Sequence, residues 1–147
     1  VSVASVSSIS VTPTYYLFNS LRKAFRSYLR KLWQLGAPDE TSKRWREISP
    51  VYQLDRIKAP ILFQMPEREY RMTLDYALPL MRRHQADIYV FPDEAHIKFQ
   101  PKHKLAAYER NVDWFRFWLQ GYEDPDPAKM GQYKVWQSMK ASLKQFK

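Results

Sequence analysis

A run of β-branched and aromatic residues, Ile88-Tyr89-Val90-Phe91, is cut off by Pro92. Such a run favours a strand, and a proline cannot donate to a sheet ladder, so the strand ends there. A second run, Ile61-Leu62-Phe63-Gln64-Met65, is short, apolar and bounded by Pro60 and Pro66. A parallel strand buried on both faces reads this way. Helical sequence separates the two runs. Strands joined by crossover helices lie parallel, in a sheet covered on both faces. In open sheets of this kind the chemistry sits in loops past the carboxyl ends of the strands. His96, just beyond the acidic turn Asp93-Glu94, stands in such a loop.

The rest of the chain fills in the same pattern. Residues 1–6 alternate small and apolar positions and predict a first strand, loosening into a loop over Ser7-Ser8-Ile9-Ser10. Thr12-Pro13-Thr14 is a helix start. Leu17, Leu21, Phe25, Tyr28 and Leu32 then predict one helix with a single apolar face, packed on the sheet, with Arg22, Lys23, Arg26, Arg30 and Lys31 in water. The same amphipathic pattern leaves open a helix lying on a membrane surface. Gly36 followed by Pro38 predicts the end of that helix. Thr41–Ile48 reads as a short helix with Trp45 and Ile48 inward. Tyr70–Arg83 reads as a helix in which Pro79 predicts a kink or an early first turn, with Met72, Tyr76 and Leu80 inward and Leu78 a further candidate. His103–Gln120 is a long helix, with Leu105, Tyr108, Val112, Phe115 and Leu119 as its expected inner face and Trp114 and Trp118 alongside. Gly121 closes it. The acidic linker from Glu123 to Pro127 precedes an amphipathic tail over 128–147, with Met130, Tyr133, Trp136 and Leu143 apolar. The expected division is residues 1–121 as one α/β unit and 122–147 as linker and tail helix.

Composition narrows the function. The chain has 147 residues, 45% hydrophobic and 16% aromatic, enough for one domain with a real core. There is no cysteine, which removes disulfides and thiolate metal sites. No run is apolar for long enough to span a bilayer. The net charge of +9 is spread out: residues 1–59 carry ten bases and four acids, 60–100 five and six, and 101–147 nine and five. Without a single basic run this charge reads as solvated surface, and no nucleic-acid partner is expected. The chain begins with Val1 inside a strand-like run, with no basic region of a signal peptide. That predicts the carboxyl-terminal segment of a longer polypeptide.

Two loops gather the reactive side chains. The loop after residues 61–65 holds Glu67 and Glu69; the loop after 88–91 holds Asp93, Glu94 and His96. Neighbouring parallel strands bring both to one rim. A carboxylate facing an imidazole fixes its tautomer and stabilises its charged form. The chain order Ser, then Asp or Glu, then His belongs to α/β-hydrolases, and Glu69 followed by His96 matches its second half. Glu67 is the rival acid. Asp93 and Glu94 read as turn residues, and His84 and His103 as surface histidines. The three histidines are scattered and no His-Glu-x-x-His occurs, so no metal or other cofactor is expected. No glycine flanks a serine as a Gly-x-Ser-x-Gly elbow requires, so the nucleophile is expected outside these residues.

Four stretches resemble one family: Ser49-Pro50, Arg56 to Leu62, Phe91-Pro92-Asp93-Glu94-Ala95-His96, and Tyr108 to Phe115. They are similar to the carboxyl-terminal part of the catalytic domain in the prolyl oligopeptidase family of serine peptidases. Glu69-Tyr70-Arg71, Ala95 to Pro101 and Asn111 to Gly121 narrow the resemblance to the lasso-peptide isopeptidases. The resemblance implies the carboxyl-terminal portion of an α/β-hydrolase fold. It implies hydrolysis of an isopeptide bond in a lasso-peptide substrate, with Glu69 and His96 as triad acid and base. It also implies an upstream serine, the rest of the hydrolase domain and a β-propeller as partners in the same polypeptide. Two departures stand out. Met65-Pro66-Glu67-Arg68-Glu69 replaces the family's His-Gly-x-x-Asp, and Ala95 replaces the glycine before the histidine. The residues alone also admit a non-catalytic interaction module, or an anion-binding domain driven by charge.

Overall fold

The computed structural model describes residues 2–7 and 10–145. Val1, Ser8 and Ile9, where the sequence predicts the strand's first residue and part of the following loop, lie outside the described residues, as do 146–147. Three parallel strands form one sheet in the order β1 (Ala4–Val6), β2 (Ile61–Pro66), β3 (Ala86–Phe91). Ile61 pairs with Ala86 and Pro66 with Phe91, so β2 and β3 end level with each other. The two loops that follow therefore leave the sheet side by side.

Every residue of β2 is buried, as an apolar run with helices on both faces requires. Its side chains alternate between two cores. Ile61, Phe63 and Met65 pack with Tyr76, Ala77 and Leu80 of α4 (Leu74–Arg82). Leu62 packs with Trp114, Phe117 and Trp118 of α5 (Pro101–Gln120) and with Tyr133, Trp136 and Met139 of α6 (Met130–Gln145). The tail helix is thus part of the second core, held by edge-to-face aromatic pairs such as Trp114–Trp136 at 5.1 Å. A third core lies beside the sheet. It joins Tyr16 of α1 (Pro13–Asn19), Leu29 of α2 (Lys23–Trp33), Leu35, and Trp45 of α3 (Ser42–Ile48).

Several expectations are corrected. The single helix expected from residue 14 to 35 is two, broken at 20–22, and α2 packs on α1 and α3 rather than on the sheet. The break shifts the helical phase, so Leu17, Leu21, Tyr28 and Leu32 face outward, Leu21 being 94% exposed. Gly36 does not cap α2. Gln34 does so in the left-handed region at φ 58°, while Gly36 permits a close approach: a Cβ there would lie 2.8 Å from Glu40 Oε2. On α5 the buried side chains are Asp113, Trp114, Phe117 and Trp118, and the expected inner face from Leu105 to Leu119 is exposed. Both stripes of this helix are apolar, so periodicity alone cannot choose between them. The tryptophans bury the larger area, and Trp114 Nε1 donates to the carbonyl of Ala4 at 3.0 Å. Leu78 is exposed, Met130 is exposed, and the first turn after Glu69 is a 3-10 helix over Tyr70–Thr73 rather than α-helix. A 3-10 helix over Pro50–Arg56 occupies what reads as a plain break. Gly121 closes α5 as expected, at φ 72°.

Candidate active site

Glu69 and His96 meet at the carboxyl rim of the sheet. His96 Nδ1 lies 2.9 Å from Glu69 Oε1 and 3.2 Å from Oε2. The Glu69 side chain is 12% exposed and the His96 side chain 61%. The carboxylate is thus held by the protein while the imidazole reaches from it toward solvent. With Glu69 accepting from Nδ1–H, the neutral imidazole keeps an acceptor at Nε2.

The two loops are laced together over short distances. Glu67 N donates to Phe91 O at 3.0 Å, and Asp93 N to Glu67 Oε2 at 2.8 Å. Glu67 is therefore engaged with the turn backbone, not with the imidazole. Glu69 N closes a tight turn onto Pro66 O at 2.9 Å. Asp93 adopts the left-handed region at φ 55°, which Asp tolerates better than most residues. The turn's left-handed residue is at 93, and Ala95 has no positive φ, so an alanine fits where the family has glycine.

A cleft of about 480 Å³ opens beside the pair, lined by Glu69, His96, Met72 and, from the other side, Ser10, Val11, Tyr15 and Asn19. Helix α1 forms that second wall because Thr12 works twice. Its Oγ1 accepts from Tyr15 N at 3.1 Å as a helix cap and donates to Met72 O at 3.2 Å. The Tyr15 hydroxyl is pushed above its ordinary value of 10.0 by burial and then by the charge of Glu69. Across the loop, Lys98 Nζ donates to Gln64 O at 3.1 Å and lies 4.9 Å from the Phe91 ring centre. Burial holds its ammonium below the usual 10.5, against the opposing pull of Glu94 and Glu69.

Sequence reasoning missed two residues here. Glu94, read as a turn residue, is fully buried and accepts from the amides of Phe99 and Gln100. His103, read as a surface histidine, faces Glu94 with Nδ1 2.9 Å from Oε1. Nothing in the spacing of the two residues marks them as partners; the only hint is that both flank the Pro101 helix start. His84 is exposed, as expected of a surface residue. Among the described residues no group of three or more His, Asp or Glu could hold a metal, and no helix is long and apolar enough to cross a membrane.

Three parallel strands, helices on both faces, and a carboxylate–imidazole pair at the carboxyl rim define a carboxyl-terminal portion of an α/β-hydrolase of prolyl-oligopeptidase type. No model of a known protein family matches the sequence. Lasso peptide isopeptidase AtxE2 from Asticcacaulis excentricus is 39% identical over 98 residues, 66% of this chain and 14% of that protein. AtxE2 isopeptidase solved as a serine-to-alanine variant with Astexin3-dC4 bound superposes with a TM-score of 0.81 at 33% identity, over 95% of this chain and 22% of that one. The apo structure gives 0.82 at 31%, over 95% and 21%. By sequence and fold the chain is a relative of the lasso peptide isopeptidases, matching their carboxyl-terminal part. It spans about a seventh of the length of the curated relative.

Proposed function

We propose that this chain supplies the acid and the base of a serine isopeptidase, and that the nucleophilic serine and oxyanion hole come from another part of the same hydrolase domain. The observation that carries this reading is the 2.9 Å contact between His96 Nδ1 and Glu69 at the sheet rim, which leaves Nε2 free of the carboxylate on a residue that lines the cleft. In the proposed sequence His96 Nε2 takes the proton from the attacking serine hydroxyl as the Ser–acyl bond forms. It then gives that proton to the leaving amine of the cleaved amide. Glu69 keeps the ring in the right tautomer and stabilises the imidazolium formed between the two transfers. Water repeats the cycle to release the acyl group.

The proposed substrate is a peptide, and specifically the ring-closing isopeptide bond of a lasso peptide, in line with the relative whose structure holds Astexin3-dC4. The hydrolase portion is assigned to residues 1–121, with 122–147 a linker and a helix that docks back onto it through Trp136. The exposed apolar faces of α2 and α5 favour a second reading, a non-catalytic interaction module. In the peptidase reading those faces meet the remainder of the domain.

The test is ring opening of a lasso peptide by the complete enzyme, read by mass spectrometry as addition of one water. His96→Ala should abolish it. Near-normal turnover by that variant would reject the assignment and leave the interaction module standing.

A further inference from the structure

The turn that presents His96 closes around a buried carboxylate. Glu94 stands two residues before His96, fully removed from solvent. Its Oε2 accepts from Phe99 N at 2.8 Å; its Oε1 accepts from Gln100 N at 3.1 Å and faces His103 Nδ1 at 2.9 Å. A carboxylate taken out of water is tolerated only when its lone pairs are met, and here three donors meet them. Two of those donors follow His96 in the chain, and the third sits on the first turn of α5. Residues 95–98 are thus a short arch whose feet are pinned to one head group, with His96 on the arch. The arch has a second tie, from Lys98 Nζ to Gln64 O, on the side of the sheet end.

We propose that Glu94, clamped by His103, is a positioning residue for His96: it fixes the arch and so holds Nδ1 against Glu69. The consequence for catalysis rests on the isopeptidase reading; the clamp itself does not. Glu94 touches no reacting atom. Its effect passes through the backbone of residues 95–100, and α5, anchored in the tryptophan core, is the rigid support.

A merely structural Glu94 would cost stability without altering the His96–Glu69 contact, so the test reads that contact. In the 147-residue chain, nitrogen-15 NMR follows the His96 Nδ1–H proton, with Glu69→Gln identifying its resonance. Glu94→Gln keeps the size but puts an NH2 donor in place of one carboxylate oxygen, against either Phe99 N or the Gln100 N and His103 Nδ1 pair. It should speed exchange of that proton by about tenfold or more. His103→Phe should do the same, while His103→Asn, whose amide nitrogen can stand in for Nδ1, should stay near the unsubstituted chain. Leu29→Ala, in the third core beside the sheet, lowers stability away from the arch and its α5 support and should leave the resonance unchanged. Unaltered exchange in both Glu94→Gln and His103→Phe would overturn the proposal, as would a chain in which no Nδ1–H resonance depends on Glu69. If Glu94→Gln does not fold, the two His103 variants decide alone. Unaltered exchange in the Glu94 and His103 variants overturns the clamp alone; a missing Glu69-dependent resonance also removes the contact behind the isopeptidase reading, which the His96→Ala ring-opening assay then decides by itself.

Discussion

Glutamate at position 69 is one methylene longer than the aspartate common in this fold, and it meets the imidazole from a turn in which Glu69 N donates to Pro66 O. Glu67, the other carboxylate of the loop, is occupied by Asp93 N. In the complete enzyme Glu69→Gln should therefore lower kcat by about 10⁴-fold, the scale seen when a triad acid can no longer hold the tautomer. Glu67→Gln, which keeps an oxygen for the Asp93 amide, should stay within about tenfold. Comparable losses from both would mean the loop as a whole, not one carboxylate, sets the imidazole. Glu69 and His96 were legible because residue type, chain order and strand ends point to the same rim. Glu94 was not, because a glutamate in a proline turn looks the same whether its head is solvated or enclosed. Its enclosure has a pH signature. Burial alone would raise its carboxyl, but the amides of Phe99 and Gln100 and the His103 ring more than offset that, leaving it below its ordinary 4.5. The charged form thus stabilises the fold above about pH 4.5, and that contribution fades as pH falls through the depressed value. Glu94→Gln should flatten the fall of Tm with acid in this window; an unchanged acid limb would show that other carboxylates drive it.

At the scale of elements, α5 shows where a helical pattern misleads. Leu105, Tyr108, Val112, Phe115 and Leu119 form a regular apolar stripe, and Trp114, Phe117 and Trp118 form another on nearly the opposite side of the helix. Pattern alone cannot choose between them. Packing favours the one with more area and a satisfied indole, so Trp114 sits in the core and the longer stripe is exposed. Trp114→Ala should destabilise the chain by about 3–5 kcal/mol by chemical unfolding. Leu119→Ala should fall within about 0.5 kcal/mol. The reverse ranking would put the longer stripe inside. The three strands and their order were readable because prolines and β-branched residues mark strand ends directly. The split between α1 and α2 was not, since Ser20-Leu21-Arg22 contains neither glycine nor proline. The junction of α5 with α6 carries its own charge device. Lys129 Nζ lies 2.7 Å from Asp124 Oδ2 and 3.0 Å from Asp113 Oδ2, and the Asp124 hydrogen bond raises its ammonium well above 10.5 despite partial burial. A raised lysine stabilises the fold fully below 10.5 and loses that contribution as pH rises through its folded value. Lys129→Met should therefore lower Tm at neutral pH and narrow the gap from the unsubstituted chain in strong alkali. A gap constant with pH would assign the loss to packing instead.

Across the whole molecule, the Glu69–His96 contact is formed, and no described serine hydroxyl meets its imidazole. Ser5 Oγ donates to Asn111 Oδ1 at 2.6 Å, Ser10 Oγ is hydrogen-bonded to the Tyr76 hydroxyl at 3.1 Å, and Ser20 Oγ donates to Leu17 O at 2.9 Å. Ser49 is buried. Ser10 borders the same cleft as His96, but its hydroxyl is turned to Tyr76. Among the described residues no serine hydroxyl is hydrogen-bonded to the imidazole, and an unactivated hydroxyl is a weak nucleophile at neutral pH. A fluorophosphonate reagent reacts with a serine only when a base draws off its proton beside an oxyanion hole. The 147-residue chain should therefore take up no label, while the complete enzyme should be labelled at one serine, and His96→Ala should remove that label. Stoichiometric labelling of the chain by itself, mapped by peptide mass, would place the nucleophile within these residues. Ser10 would then be the first position to substitute, because among the described residues it is the serine that lines the cleft of Glu69 and His96.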